Sequence, residues 1–203
     1  MTADHNAARW EISPARDGEY AEIGELTVRA YLPSGMPLTD PYYAELRDVA
    51  GRAETSVVLV ARSGGRPVGT VTWCPPGSAL TEVAAAQEAE IRMLAVDPRW
   101  QGQGIGRALL AACVQLAVEA DAKALVLSTA PWMVRAHTLY HRAGFCRLPH
   151  RDWSVRPDIR LACYGLTLVA GGALAGSGGG PTTPPDPATN APIDTMRVDT
   201  EAN

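Results

Sequence analysis

The sequence predicts an α/β fold built on a mixed sheet with a parallel pair at its centre. Three observations carry that expectation. Two β-rich runs are joined by a tight glycine turn. A strand, a glycine-rich turn and an amphipathic helix then follow in order, and a second strand–helix–strand run closes the pattern. Hairpin strands pair antiparallel, whereas two strands joined through a crossover helix lie parallel.

The first elements precede the sheet proper. Residues 10–13 read as a short strand, and Asp17 as the cap of a helix carrying Ile23, Leu26, Val28, Ala30 and Tyr31. Pro33-Ser34-Gly35-Met36-Pro37 breaks that helix. Asp40-Pro41 then opens another through Ala44, Leu46 and Val49, because proline suits a first helical turn. Ser56–Arg62 and Val68–Cys74 flank the turn 63–67 and make the hairpin. A loop of low periodicity, 78–88, leads to a strand in which Ile91, Met93 and Ala95 alternate with Arg92, Leu94 and Val96. By that parity Glu90 shares a face with Arg92, Leu94 and Val96.

Asp97-Pro98 ends this strand, since proline lacks the N–H a ladder needs. Gln101-Gly102-Gln103-Gly104-Ile105-Gly106 supplies three glycines in five positions, and Leu109, Leu110, Cys113, Leu116 and Ala117 form one apolar helical face. Residues 123–129 read as a buried strand. The next helix opens at Pro131-Trp132, holds Met133, Ala136, Leu139, Tyr140 and Ala143, and ends at the capping Gly144. Strand fragments at 146–150 and 153–156 precede a last strand at 160–169. We read 1–170 as one domain. Residues 171–203, rich in Gly, Pro, Thr and Asn, read as a disordered tail.

Composition limits the function. The chain has 203 residues, 46% of them hydrophobic, enough for one sizeable core. A net charge of −4 argues against a general nucleic-acid binder. Cys74, Cys113, Cys146 and Cys163 are widely spaced without a C-x-x-C, which suits buried thiols in a reducing compartment. No apolar run approaches a membrane span and the N-terminus lacks a leader-like core. A cytoplasmic location is the expectation.

The glycine turn carries the chemistry. The first N–H groups of a helix lack internal partners and sit at the positive end of its dipole, so a glycine turn ahead of them invites a phosphate. A P-loop requires Gly-Lys-Ser/Thr, but Gly106 is followed by Arg107-Ala108. A dinucleotide fold requires G-x-G-x-x-G and an acidic residue closing the next strand; here the spacing is G-x-G-x-G and that strand closes on Ser128-Thr129-Ala130. An ordinary strand–turn–helix with a flexible loop fits the glycine pattern as well.

Gln101-Gly102-Gln103-Gly104-Ile105-Gly106 resembles the R/Q-x-x-G-x-G/A signature of the GNAT superfamily of N-acetyltransferases. Downstream, Ala136, Leu139, Tyr140, Gly144 and Phe145 match that family's N-x-x-A-x-x-L-Y-x-x-x-G-F, with Met133 in place of the asparagine. The resemblance implies a GNAT-type, mostly antiparallel sheet with one parallel pair, flanked by helices. It also implies acetyl-CoA as cosubstrate, with no metal. Its pyrophosphate would lie on the turn, Gln101, Gly102, Gln103, Gly104, Ile105, Gly106 and Arg107. Its pantetheine would pair with Leu94, Ala95 and Val96.

Two catalytic roles follow from the same resemblance. Tyr140 stands where the family often places the acid that protonates the departing thiolate; as an unplaced residue it would be an apolar-face aromatic. Glu90 stands where several members place the base that accepts the amine proton, though a glutamate at a strand's start also pairs readily with arginine. His137 and His141, at i and i+4, read as a surface pair lacking a third metal ligand. The implied acceptor is a small-molecule or peptide amine, with no nucleic acid and no membrane, and a homodimer is compatible with the family. A non-catalytic module that binds acyl-CoA as a sensor is the other reading. Loops 32–40 and 78–88 would choose the acceptor.

Overall fold

The computed structural model describes residues 10–168, and the expectations for 171–203 lie outside them. The strands are β1 (Glu11–Pro14), β2 (Val57–Ser63), β3 (Arg66–Cys74), β4 (Glu88–Val96), β5 (Ala124–Thr129), β6 (Cys146–Arg147), β7 (Trp153–Arg156) and β8 (Ile159–Thr167). The helices are α1 (Tyr20–Tyr31), α2 (Tyr42–Arg47), α3 (Val49–Thr55), α4 (Ile105–Glu119) and α5 (Val134–Arg142). Strands run in the order β1-β2-β3-β4-β5-β8-β6, with β7 on β8. Among the described residues only β4 and β5 pair in parallel; the other pairings are antiparallel. The mixed sheet expected from the sequence is therefore present, parallel pair included.

Both faces of the sheet are covered, which explains why β2 and β3 read as near-continuous apolar runs. On β2, Leu59 and Ala61 enter the cluster that holds Ile105, Leu109 and Leu110 of α4. The alternate residues Val58 and Val60 pack with Ile23 of α1 and Val49 of α3. Ile23 is fully buried there, a contribution of about 1.5–3 kcal/mol.

Three local expectations change. Asp17 does not cap α1. It begins a 3-10 turn, Asp17–Glu19, and accepts a hydrogen bond from the Tyr20 hydroxyl, while Glu19 accepts from the Arg16 amide. The helix expected to run from Asp40 through Val49 is two helices. Asp48 leaves helical geometry (ψ 69°) and its carboxylate caps α3 by accepting from the Gly51 amide at 2.9 Å; a short acidic side chain competes well for such amides. Cys146 is exposed rather than buried, because β6 is a two-residue edge strand; the other three thiols are buried, and all four are free. Among the described residues no helix is long and apolar enough to cross a membrane.

Candidate active site

The site begins with a fault in the sheet. Thr70 pairs with Ala95 and Thr72 with Arg92, so Met93 and Leu94 together oppose Val71. Met93 takes φ 54°, a left-handed conformation costing a non-glycine residue roughly 1–3 kcal/mol. Such a bulge bends its strand. The pairing of β4 with β5 covers Glu88–Ile91 against Ala124–Leu127 and goes no further. Beyond that point the two strands part, and a cavity of about 330 Å³ opens beside the split.

The bulge also overturns the parity read from the sequence. Trp73 pairs with Ile91 and Gly69 with Val96. Both β3 residues lie on one face, so Ile91 and Val96 do too. Glu90, opposite Cys74, lies on the other. Leu94 packs with the α4 cluster, whereas Met93 packs with Val28, Tyr43 and Leu46. Glu90 therefore shares its face with Arg92 but with neither Leu94 nor Val96. One extra residue in a strand reverses everything after it.

Glu90 is fully buried and lines the cavity. Its Oε2 accepts hydrogen bonds from three successive amides, Glu82 at 2.9 Å, Val83 at 2.9 Å and Ala84 at 3.0 Å. Its Oε1 is buried with no hydrogen-bond partner among the described residues. One oxygen thus ties down the loop before β4, and the other is left over. Glu82, given no role from the sequence, receives one here: its carboxylate pairs with Arg92 at 2.5 Å. Burial raises the Glu82 pKa, opposed by the Arg92 charge.

Tyr140 reaches the same cavity from α5. The helix ends in the expected glycine cap, with Gly144 at φ 88°, its amide on the His141 carbonyl and the Phe145 amide on the Tyr140 carbonyl. That turn folds Phe145 back against Tyr140, ring centroids 6.0 Å apart, with Tyr164 at the same distance. Burial pushes the Tyr140 pKa well above its ordinary value, so the hydroxyl keeps its proton at neutral pH. Met133 precedes α5, and its sulfur accepts a weak 3.7 Å hydrogen bond from Thr129.

The glycine turn lies past the end of β4. Gly102 and Gly104 take φ 78° and 85°, and a Cβ at either would meet open space. No side chain caps α4 at Gly104. The first helical bond from this end runs from the Ala108 amide to the Gly104 carbonyl, leaving the amides of Ile105, Gly106 and Arg107 without helical partners. An uncapped helix start facing open space fits a diphosphate, and the gap between β4 and β5 fits an extended amide chain. Arg107 is exposed. Arg99 is committed to Asp97 at 3.0 Å. Gln101 donates to the Val96 carbonyl at 3.3 Å and accepts from Arg135 at 2.9 Å, a cation brought beside the turn only by the fold.

Of the expected residues, Glu90, Leu94 and Tyr140 share the cavity lining. Ala95, Val96 and the turn 101–107 lie outside it, farther along the chain from the split. His137 lies 3.0 Å from the Ala130 carbonyl and against Tyr164; the described residues contain no group of three side chains suited to a metal.

The sequence model of the Acetyltransferase (GNAT) family matches residues 20–145. The chain belongs to this acetyltransferase family. An N-acetylaspartate synthetase of Rattus norvegicus is 28% identical over 153 residues, covering 70% of this chain and 51% of that protein. The chain thus spans about half the length of that relative. Among solved structures, a GNAT acetyltransferase from Staphylococcus aureus Mu50 superposes with TM-score 0.63 at 15% identity, over 78% of this chain and 99% of that one. A GNAT acetyltransferase from Brucella melitensis in complex with acetyl-CoA gives TM-score 0.51 at 23% identity, over 75% and 86%. These likenesses support the fold, helices and parallel pair included.

Proposed function

We propose that this protein transfers the acetyl group of acetyl-CoA to a primary amine by direct attack in a ternary complex. The observation that carries the reading is the cavity at the β4–β5 split, which gathers Glu90 from the strand and Tyr140 from α5. The uncapped start of α4 lies beyond the same strand. A binding module would need the turn but not a buried tyrosine and a spare carboxylate oxygen in one cavity.

The roles follow from proton accounting. A free alkyl amine has a pKa near about 10.4 and is protonated at neutral pH, so it must lose a proton to attack. Glu90 Oε1, directly or through a water, takes that proton. The nitrogen bonds to the acetyl carbon and the C–S bond breaks. The leaving thiolate, with a thiol pKa of about 8.5, is a weaker base than a phenolate, whose phenol has a pKa of about 10. The phenol proton is therefore shared with the sulfur in a hydrogen bond as charge develops rather than given up outright. Tyr140, kept protonated by burial, supplies that hydrogen bond. The second proton, lost by the nitrogen as the tetrahedral adduct collapses, ends on the sulfur, so the phenol is intact after each turnover. The backbone of Leu94, Ala95 and Val96 would hold the pantetheine. Gln101, Gly102, Gln103, Gly104, Ile105, Gly106 and Arg107 would hold the pyrophosphate. A homodimer and a cytoplasmic setting are compatible with this reading.

Calorimetry with acetyl-CoA tests the donor: saturable binding is expected, and its absence overturns the reading. Glu90→Gln tests the base. Glutamine keeps an oxygen for the three amides, so the fold and acetyl-CoA affinity should hold while kcat falls by about 10²-fold or more. An unchanged kcat in a thiol-release assay would remove Glu90 from the proton path.

A further inference from the structure

The acceptor end of the cavity has a chemistry of its own. Four carboxylates line it, Asp40, Glu45, Glu82 and Glu90, against two cations, Arg92 and Arg156. Both cations are already spent. Arg156 pairs with Asp40 at 2.6 Å, and Arg92 pairs with Glu82 at 2.5 Å while donating to the Leu80 carbonyl at 2.9 Å. Among the described residues neither Glu45 nor Glu90 has an ion-pair partner, and Glu90 Oε1 is buried and unpartnered at the cavity wall. Glu45 and Glu90 both act on Glu82 as like charges, so the three carboxylates share one field.

The rest of the wall is mostly apolar, apart from Ser34, Ser128 and Thr129. Tyr31 at the end of α1 and Tyr42 at the start of α2 stand 6.2 Å apart, centroid to centroid. Met36, Trp132, Ile159 and Leu161 line the same space, with Trp132 47% exposed. An ammonium gains from this field, and a ring or branched alkyl group gains from these walls. Arg52, the nearby cation with no carboxylate partner among the described residues, is buried outside the lining. It is committed to Thr72 Oγ1 and the carbonyls of Glu45 and Leu46. A carboxylate next to the amine would therefore meet net negative charge at the cavity wall.

Resting on the transferase reading of the same cavity, we propose that its acceptor is a small amine with an aromatic or branched apolar body and no carboxylate beside the amine. Acidic and free α-amino acids are excluded by charge.

The test measures equilibrium binding of four probes to the CoA-loaded full chain: 2-phenylethylamine, L-phenylalaninamide, L-phenylalanine and L-aspartate. The first two should bind at least about tenfold more tightly than phenylalanine, and aspartate should not saturate. Glu45→Gln, at the exposed mouth, should shrink that preference by about threefold, as should high salt. Equal binding of phenylalanine and its amide, tighter binding of aspartate, or no binding by any probe would each overturn the proposal. Thiol release with acetyl-CoA is read separately. Probes that bind in the expected order without being acetylated would sustain this inference and overturn the transfer reading instead.

Discussion

Tyr140→Phe is expected to lower kcat by about 10²- to 10⁴-fold, the range associated with losing one positioned general acid, and to leave acetyl-CoA affinity nearly unchanged. The ring is what packs: its neighbours are Phe145 and Tyr164, and phenylalanine preserves both contacts. The hydroxyl is what the proposed transfer uses, and Tyr140 lines the cavity that also holds Glu90. Steady-state kinetics by thiol release, with acetyl-CoA binding by calorimetry, separates the two. A fall in affinity matching the fall in kcat would mean that the hydroxyl holds the donor in its ground state. An unchanged kcat would return Tyr140 to the core.

The direction of its titration sharpens the prediction. Burial disfavours the phenolate, so Tyr140 remains a donor throughout the neutral range and above it. Loss of activity on the alkaline side should therefore not come from this residue. A basic limb that vanished in Tyr140→Phe, with activity otherwise intact, would contradict the assignment.

What the sequence made legible was local. The glycine turn announces itself because Gly102 and Gly104 occupy positive φ, which few other residues accept. The end of α5 does so because Gly144 must do the same, whereas Tyr140 stood out only through its match to the GNAT motif that ends at this cap. The β4 bulge was not legible. Met93 is an ordinary strand residue in every respect except that it adopts φ 54°, and only the pairing with β3 requires it to. The faces assigned to Leu94 and Val96 failed for that reason. The acceptor wall was hidden in the same way: Tyr42 and Ile159 are far apart in sequence and meet only because β7 and β8 return beside β5. The loop amides on Glu90 were hidden too, since any residue carries an N–H.

Glu19→Gln is expected to destabilise the protein by about 3 kcal/mol, near the lower end for removing one partner of a buried ion pair. Arg62 is 1% exposed and its guanidinium meets Glu19 through two hydrogen bonds, at 2.7 and 2.6 Å. It also donates to Ser13 Oγ at 2.7 Å and the Pro14 carbonyl at 3.0 Å, so one side chain joins β1, β2 and the turn ahead of α1. Glutamine leaves the guanidinium buried without a counter-charge. Arg62 holds the Glu19 pKa down to about 2, from an ordinary 4.5. A depressed carboxylate contributes stability that is complete above its unfolded pKa and disappears as the pH falls through its folded one. Between pH 4.5 and about 2 the wild-type protein should therefore lose what the variant has already lost. Their stabilities, measured by denaturant unfolding across that range, should converge. Parallel curves would mean that the cost of Glu19→Gln came from misfit in the turn rather than from the ion pair, because packing strain does not titrate.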